Sequence, residues 1–344
     1  MSVQDLIFAA GGAAGLRLVA ITSDVSPYIS VYPWTSSGFG ARLSNPATLP
    51  TGNANDVAFS PDGRFMAVSH GTSPYVSVYP ISGGMLGAKV SNPATLPTGA
   101  GNGVAFSPDG AFLAVAHTTF PYISVYPWSS GGFGTKFANP SSGMGSIGYR
   151  VTFSPNGAFI VAASQSTPYV HAYPWSGSGF GTKVANPATL MTSSGYGLAF
   201  SPDGSAVVVG SLSWPFVHAY AWSSGFGAKK ANPATLPTGY VWDAAFSPDG
   251  AFLAIGRKDS PSVSVYAWTG GTFGSLVANP TVLPDGDEGA GVAFNPDGSA
   301  LVVTSRDSPY AHAYTWSGSF GSKFIAPAGL PAGISRAVAF SPLL

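Results

Sequence analysis

The chain contains no cysteine. That excludes disulfide staples, thiol nucleophiles and thiolate metal sites, and it leaves the redox compartment open. Charge is also scarce: only 8% of the 344 residues are Asp, Glu, Lys or Arg, against about 25% in an ordinary soluble domain. Fourteen basic and fourteen acidic residues cancel, so no net field draws the chain toward nucleic acid or an anionic membrane. No run of eighteen apolar residues occurs, and no transmembrane helix is expected. In the first twenty residues Asp5 stands where a secretory signal would carry Lys or Arg. Gly11, Gly12 and Gly15 break the apolar stretch that follows, so no export signal is read there. The motifs G-x-S-x-G, G-x-x-x-x-G-K and H-E-x-x-H and the EF-hand loop are all missing.

What the chain has instead is turns and rings. It carries 45 Gly and 30 Pro, together with 8 Trp, 15 Tyr and 22 Phe. A disordered Gly/Pro-rich chain lacks that apolar and aromatic content, so this one can bury a core. The phrase V-A-F-S-P-D-G, or a close variant, recurs at Phe59, Phe106, Phe153, Phe200, Phe246 and Phe294, with a truncated copy at Phe340. A second phrase, S-P-Y-I-S-V-Y-P-W, recurs in the same rhythm at Tyr28, Tyr75, Tyr122, Tyr169, Phe216, Ser262 and Tyr310. Seven copies of each, spaced 46 to 48 residues apart, cover nearly the whole chain.

Each unit reads as four short strands, A to D. Val57–Phe59 forms strand A and closes on the turn Ser60-Pro-Asp-Gly63, where Pro presets φ and Gly accepts a positive φ. Arg64–Val68 forms strand B. Tyr75–Tyr79, alternating with period 2, forms strand C. After a Gly-rich turn, strand D carries a basic residue: Arg42, Lys89, Lys136, Lys183, Lys229 and Lys323, with Leu276 as the exception. Charge on an outermost strand discourages another sheet from adding to its edge. An N-P-A-T-L-P connector then leads to the next unit, and its prolines argue against helix. The chain opens on a strand B (Arg17–Ile21) and ends on a strand A (Arg336–Phe340). Pairing these two ends completes a seventh blade and closes the ring. The expectation is therefore an all-β fold, a single seven-bladed β-propeller of four-stranded blades spanning residues 1–344. Residues 1–16 form a possible extra N-terminal arm, read either as a stray edge strand or as an anchor.

Here the text resembles known families. S-P-D-G after a V-A-F strand resembles the WD-repeat and YVTN-type propellers. The fuller run N92-P-A-T-L-P-T-G99, V104-A-F-S-P-D-G110 and P121-Y-I-S-V125 is similar to repeats in propeller proteins encoded by bacteriophages and prophages, tail-fibre-related or other virion proteins. A Trp ends strand C (Trp34, Trp128, Trp175, Trp222, Trp268, Trp316) about where WD repeats place theirs, but the following Asp is missing. The WD-repeat hydrogen-bond network therefore does not carry over.

Candidate chemistry is thin. Asp62, Asp109, Asp203, Asp249 and Asp297 each sit in the tight turn of a separate blade and read as turn residues rather than ligands. His70 and His117 end strand B in adjacent blades, while His171, His218 and His312 replace a Ser of strand C and are expected to pack between blades. No catalytic residue, metal site or cofactor is assigned. The informative signal is that one face breaks the repeat. Of the 28 charged residues, 13 fall in the D–A and B–C loops, among them Asp56, Arg150, Asp243, Asp287 and Glu288. The position four before each strand-A Phe reads Asn55, Asn102, Tyr149, Tyr196, Trp242, Ala290 and Arg336. Exposed aromatics beside Arg are common interface anchors. The expected binding residues are Tyr149, Tyr196, Trp214 and Trp242, with Arg257, Arg306, Asp307 and Arg336. The phage resemblance makes the leading expectation a non-enzymatic virion component, for capsid decoration or the tail, that contacts other virion proteins. It would be assembled in the host cytoplasm and located in the virion. The alternative is a module binding host-surface glycan, and third comes a YVTN-like sugar-lactone hydrolase. Neither nucleic acid nor a membrane is an expected partner.

Overall fold

Turn chemistry repeated in six of the seven blades sets their form. In the turn after strand A, the Gly63 N–H reaches Ser60 O at 2.9 Å with Gly63 at a φ of 72°. The Ser60 hydroxyl accepts from Phe65 N at 3.0 Å, and Asp62 Oδ1 accepts from Arg64 N at 3.1 Å. The same pattern returns at Ser107, Ser154, Ser201 and Ser247. The turn aspartates are therefore occupied by their own loop. For Asp203 and Asp249 the Ser hydroxyl and a backbone N–H hold the pKa below the usual value.

The computed structural model describes residues 15–286 and 288–344. The expected N-terminal arm falls almost entirely outside them, apart from Gly15 and Leu16. Every regular element among the described residues is a strand, in seven antiparallel sheets. Strands A of blades 2 to 7 are Ala54–Phe59, Gly101–Phe106, Gly148–Phe153, Gly195–Phe200, Val241–Phe246 and Gly289–Phe294. Blade 1 takes its strand A, Ser335–Phe340, from the C-terminus. It pairs with Arg17–Ser23 in the register Val19↔Phe340, Ala20↔Ala339 and Ile21↔Val338. Ser341 fastens this seam through both its N–H and its hydroxyl, to Leu18 O and Leu18 N. The ring closes as the complementary truncations require. In blade 4 the outermost strand shrinks to one bridge, Trp175↔Phe180.

The core lies between neighbouring blades. Ala67, Val76 and Val78 of blade 2 pack on Val104, Leu113, Val115 and Trp128 of blade 3, and this arrangement repeats round the ring. Trp128 meets Phe65 of the preceding blade and Phe106 and Phe133 of its own, always edge-on, at 4.9 to 5.7 Å. Edge-to-face contacts of this kind contribute beyond area burial. The strand-C tyrosines are fully buried, and five of the seven hydroxyls donate to the connector before their own blade, as in Tyr126 Oη to Thr95 O at 2.9 Å.

Two expectations change here. Four of the six basic residues of the outer edge bind the connector's Asn three residues on: Arg42 to Asn45 at 3.0 Å, Lys136 to Asn139 and Lys229 to Asn232, both at 2.6 Å, and Lys89 to Asn92. They fasten the connector as well as charging the edge. Four of the five histidines are bonded within their own blades. His70 and His117 on strand B meet Ser77 and Ser124 on strand C at 2.9 and 3.0 Å. In blades 4 and 7 the pair is exchanged, with His171 to Ser164 at 3.0 Å and His312 to Ser305 at 2.9 Å. Burial pushes the His70, His117, His218 and His312 pKa values down to about 4, so these imidazoles are neutral at pH 7.

Candidate functional site at the channel mouth

Strand A starts earlier than the repeat text suggests, and it starts with a bulge. Ala54 pairs with His70 and Asp56 with Ser69, leaving Asn55 as the extra residue. Asn102, Tyr149 and Trp242 are the extra residues of blades 3, 4 and 6 in the same way. A bulge re-aims a side chain, and here it turns the residue four before each Phe toward the channel. All seven residues of that position line one cavity of about 370 Å³ at the axis. Arg150, Glu288, Arg306 and Ile334 complete its lining.

The position three before each Phe closes the channel beneath. It reads Asp56, Arg150 and Asp243 in blades 2, 4 and 6, Gly103, Gly197 and Gly291 in blades 3, 5 and 7, and Ala337 in blade 1. A Cβ on Gly103 would stand 2.9 Å from the Arg150 Cα, and one on Gly197 2.8 Å from the Asp243 backbone. In blades 3 and 5 the neighbouring strand therefore leaves no room for a side chain at this level. Arg150 Nη1 lies 3.4 Å from Asp56 Oδ2 and donates to Asn102 O at 3.2 Å. Each carboxylate also reaches the next blade, Asp56 to Val104 N and Asp243 to Val292 N, both at 3.1 Å. Burial pushes the Asp243 pKa up to about 6 against the opposing pull of Arg150, and it raises Asp56 in the same way. Burial works against the Arg150 charge too, but the two carboxylates outweigh it and keep the guanidinium ionised.

The walls of the cavity differ. On one side Tyr149 stacks on Tyr196 with centroids 4.0 Å apart, and Trp242 meets Tyr196 edge-on at 5.1 Å. On the other, Arg306 donates to the Glu288 carboxylate at 2.8 Å. Arg336 Nε and Trp242 Nε1 are buried donors without a protein partner among the described residues. Asn55 and Asn102 spend their amide N–H on Gly101 O and Gly148 O. A carboxylate, spare cationic donors and an aromatic wall thus meet in one concave space, a set suited to polarising and attacking a polar substrate. No group of three or more His, Asp or Glu able to hold a metal occurs among the described residues.

Of the residues expected to bind, Tyr149, Tyr196, Trp242, Arg306 and Arg336 come together here. Trp214 stands apart on a B–C loop, 64% exposed. Arg257 is buried in the slot that His70 fills in blade 2, donating to Ser264 Oγ and Thr238 Oγ1. The Asp307 backbone carbonyl accepts from Tyr310 N and the Ser305 hydroxyl, in a turn outside the cavity. Sequence reasoning counted Arg150, Asp56, Asp243 and Glu288 only as loop charges. The alternation of charge with glycine was the signal that could have found the first three. Nothing in the text singles out Glu288, six before Phe294.

Fold and repeat text together define a seven-bladed propeller with WD-like repeats. The family model described as "WD domain, G-beta repeat" matches residues 233–260. No curated protein matches the sequence. Among solved structures, the chain is similar to a provisionally assigned 6-phosphogluconolactonase of Bacteroides uniformis, at 19% identity and a TM-score of 0.75, covering 95% of this chain and 100% of that one. It is also similar to PpgL, the periplasmic gluconolactonase of Pseudomonas aeruginosa, at 18% identity and a TM-score of 0.73, covering 96% and 99%. These findings overturn the expectation of a non-enzymatic virion component located in a virus particle. Among the structures that share this architecture end to end, these two are described as lactonases of bacteria, one of them periplasmic. The repeat text that suggested a phage protein encodes turns and blade packing, which any propeller needs.

Proposed function

We propose that this chain hydrolyses sugar lactones at the channel mouth. The observation that carries the reading is the meeting of Glu288, Arg306 and Arg336 with an aromatic wall in one axial cavity. The likeness in fold to gluconolactonase-type propellers supports it. The Glu288 carboxylate takes a proton from a water molecule whose oxygen bonds to the lactone carbonyl carbon. Arg336, with its spare donor, meets the negative charge that develops on the carbonyl oxygen. Collapse breaks the bond between the carbonyl carbon and the ring oxygen, and Glu288 returns the proton to that oxygen. The product is the open hydroxy acid. Arg306 holds Glu288 in position, and the rings of Tyr196 and Trp242 offer their faces to the sugar. A positioned general base contributes about 10²–10⁴-fold, and one donor to the developing oxyanion about 10²–10³-fold. Both are ample for an ester ring that already opens slowly in water. The test follows acid release from gluconolactone and 6-phosphogluconolactone with a pH indicator. The purified chain should accelerate at least one of them well above the buffer rate. No acceleration of either would overturn the reading.

A further inference from the structure

The aromatic wall does not stop at the cavity. Beyond Trp242 the Tyr240 ring stands 5.8 Å away, edge-on, and Phe216 follows at 6.3 Å. Tyr149, Tyr196, Trp242, Tyr240 and Phe216 thus form one row across blades 4, 5 and 6, from the cavity wall to the outer face. Tyr240 is 38% exposed, lies outside the cavity lining, and carries the Lys258 ammonium 5.3 Å from its ring centroid. The fold does not demand a ring there. The same position in the other blades is Asn53, Ala100, Ile147, Ser194, Glu288 and Ile334. The cavity itself measures about 370 Å³, and a six-carbon lactone at interior packing density fills roughly half of that.

Building on the lactonase reading, we propose that the substrate has two rings: an aldonolactone bearing a second sugar unit, with its lactone against Glu288 and Arg336 and its second ring on Tyr240. A pyranose offers an apolar face to an aromatic ring and hydroxyls around its rim. Tyr and Trp match both, since each joins a flat apolar body to a polar tip. Lys258 adds a donor at that rim. A single-ring lactone would leave the outer part of the row unused.

Calorimetric titration with gluconate and lactobionate, the open hydroxy acids that a one-ring and a two-ring lactone would give, tests this independently of turnover. Lactobionate should bind about 10-fold tighter than gluconate, and Tyr240→Ala should bring the two within about twofold of each other. Phe120→Ala, which removes a ring 61% exposed on the blade 3 loop, should keep the full preference. Equal affinities in the wild type, a preference that survives Tyr240→Ala, or no binding of lactobionate would each overturn the two-ring proposal. Tight, Tyr240-dependent lactobionate binding without hydrolysis of any lactone would support it while removing the proposed reaction.

Discussion

Replacing Arg150 by Met tests whether the channel floor is held by charge. The substitution keeps an unbranched side chain of similar reach but leaves Asp56 and Asp243 facing each other's field with no cation between them. At the observed 3.4 Å, the Arg150–Asp56 attraction alone is about 5 kcal/mol at an effective dielectric constant of about 20. Breaking a buried pair typically costs about 3–5 kcal/mol. The Arg150 and Asp56 side chains are 15% and 16% exposed, and that residual contact with water argues for the lower end, about 3 kcal/mol. A chain of this length unfolds with an entropy of about 0.7 kcal/mol/K, so Tm should fall by about 4 °C at pH 8. The loss should also depend on pH. Burial raises the native pKa of Asp243 from 3.8 to about 6. A carboxyl raised in the folded state contributes its stability fully below its unfolded value, and loses it as pH rises through the native value. Without Arg150 both carboxyls rise further, so more of the stability loss falls between pH 5 and pH 8. Scanning calorimetry should therefore show a gap between wild type and variant that is small at pH 5 and largest at pH 8. A gap equal at both pH values, or a variant as stable as wild type at pH 8, would refute the ion-pair account of the floor.

Deleting Ala337–Leu344 should lower Tm by about 7 °C or more. It exposes the inner edge of blade 1 and removes the buried Ala337 and Val338, a loss of about 5 kcal/mol with Phe340; an unchanged melting temperature would contradict closure by the C-terminal strand. Gly103→Ala should cost about 1–3 kcal/mol by overpacking, because the new methyl meets the Arg150 Cα at 2.9 Å and Tyr149 O at 3.0 Å. Gly131→Ala, whose methyl would meet only Ser129 Oγ at 3.5 Å, is the control, and equal denaturation midpoints for the two variants would count against the close approach of adjacent inner strands.

The propeller was legible because its physics is repeated. Pro61 and Gly63 mark a turn, the alternation of Tyr75–Tyr79 marks a strand, and the truncated ends at Arg17 and Phe340 can be satisfied only by each other. The ring of Asn55, Tyr149, Tyr196, Trp242 and Arg336 was visible as a departure from the repeat, but it was placed in loops. The bulge that turns it to the axis leaves no local mark in residues such as Gly148-Tyr149-Arg150. The chemistry was hidden for a topological reason. Each blade delivers one to three residues to the axis, so Glu288, Arg306 and Arg336 meet in space without any spacing that a linear motif could record. The missing catalytic motifs therefore said less about catalysis than the virion reading required. Arg257 shows the opposite error: its charge suggested a surface anchor, and the fold uses it to replace a histidine between strands B and C.

The most direct test of the central claim is the initial rate of lactone opening by Glu288→Gln beside Arg64→Ala, which removes an exposed charge on the opposite face of the ring. The account predicts that Glu288→Gln loses about 10²-fold or more of the enzymatic rate with its fold intact, while Arg64→Ala turns over like the wild type. A Glu288→Gln protein that opens the lactone as fast as the wild type would place the chemistry somewhere other than the channel mouth.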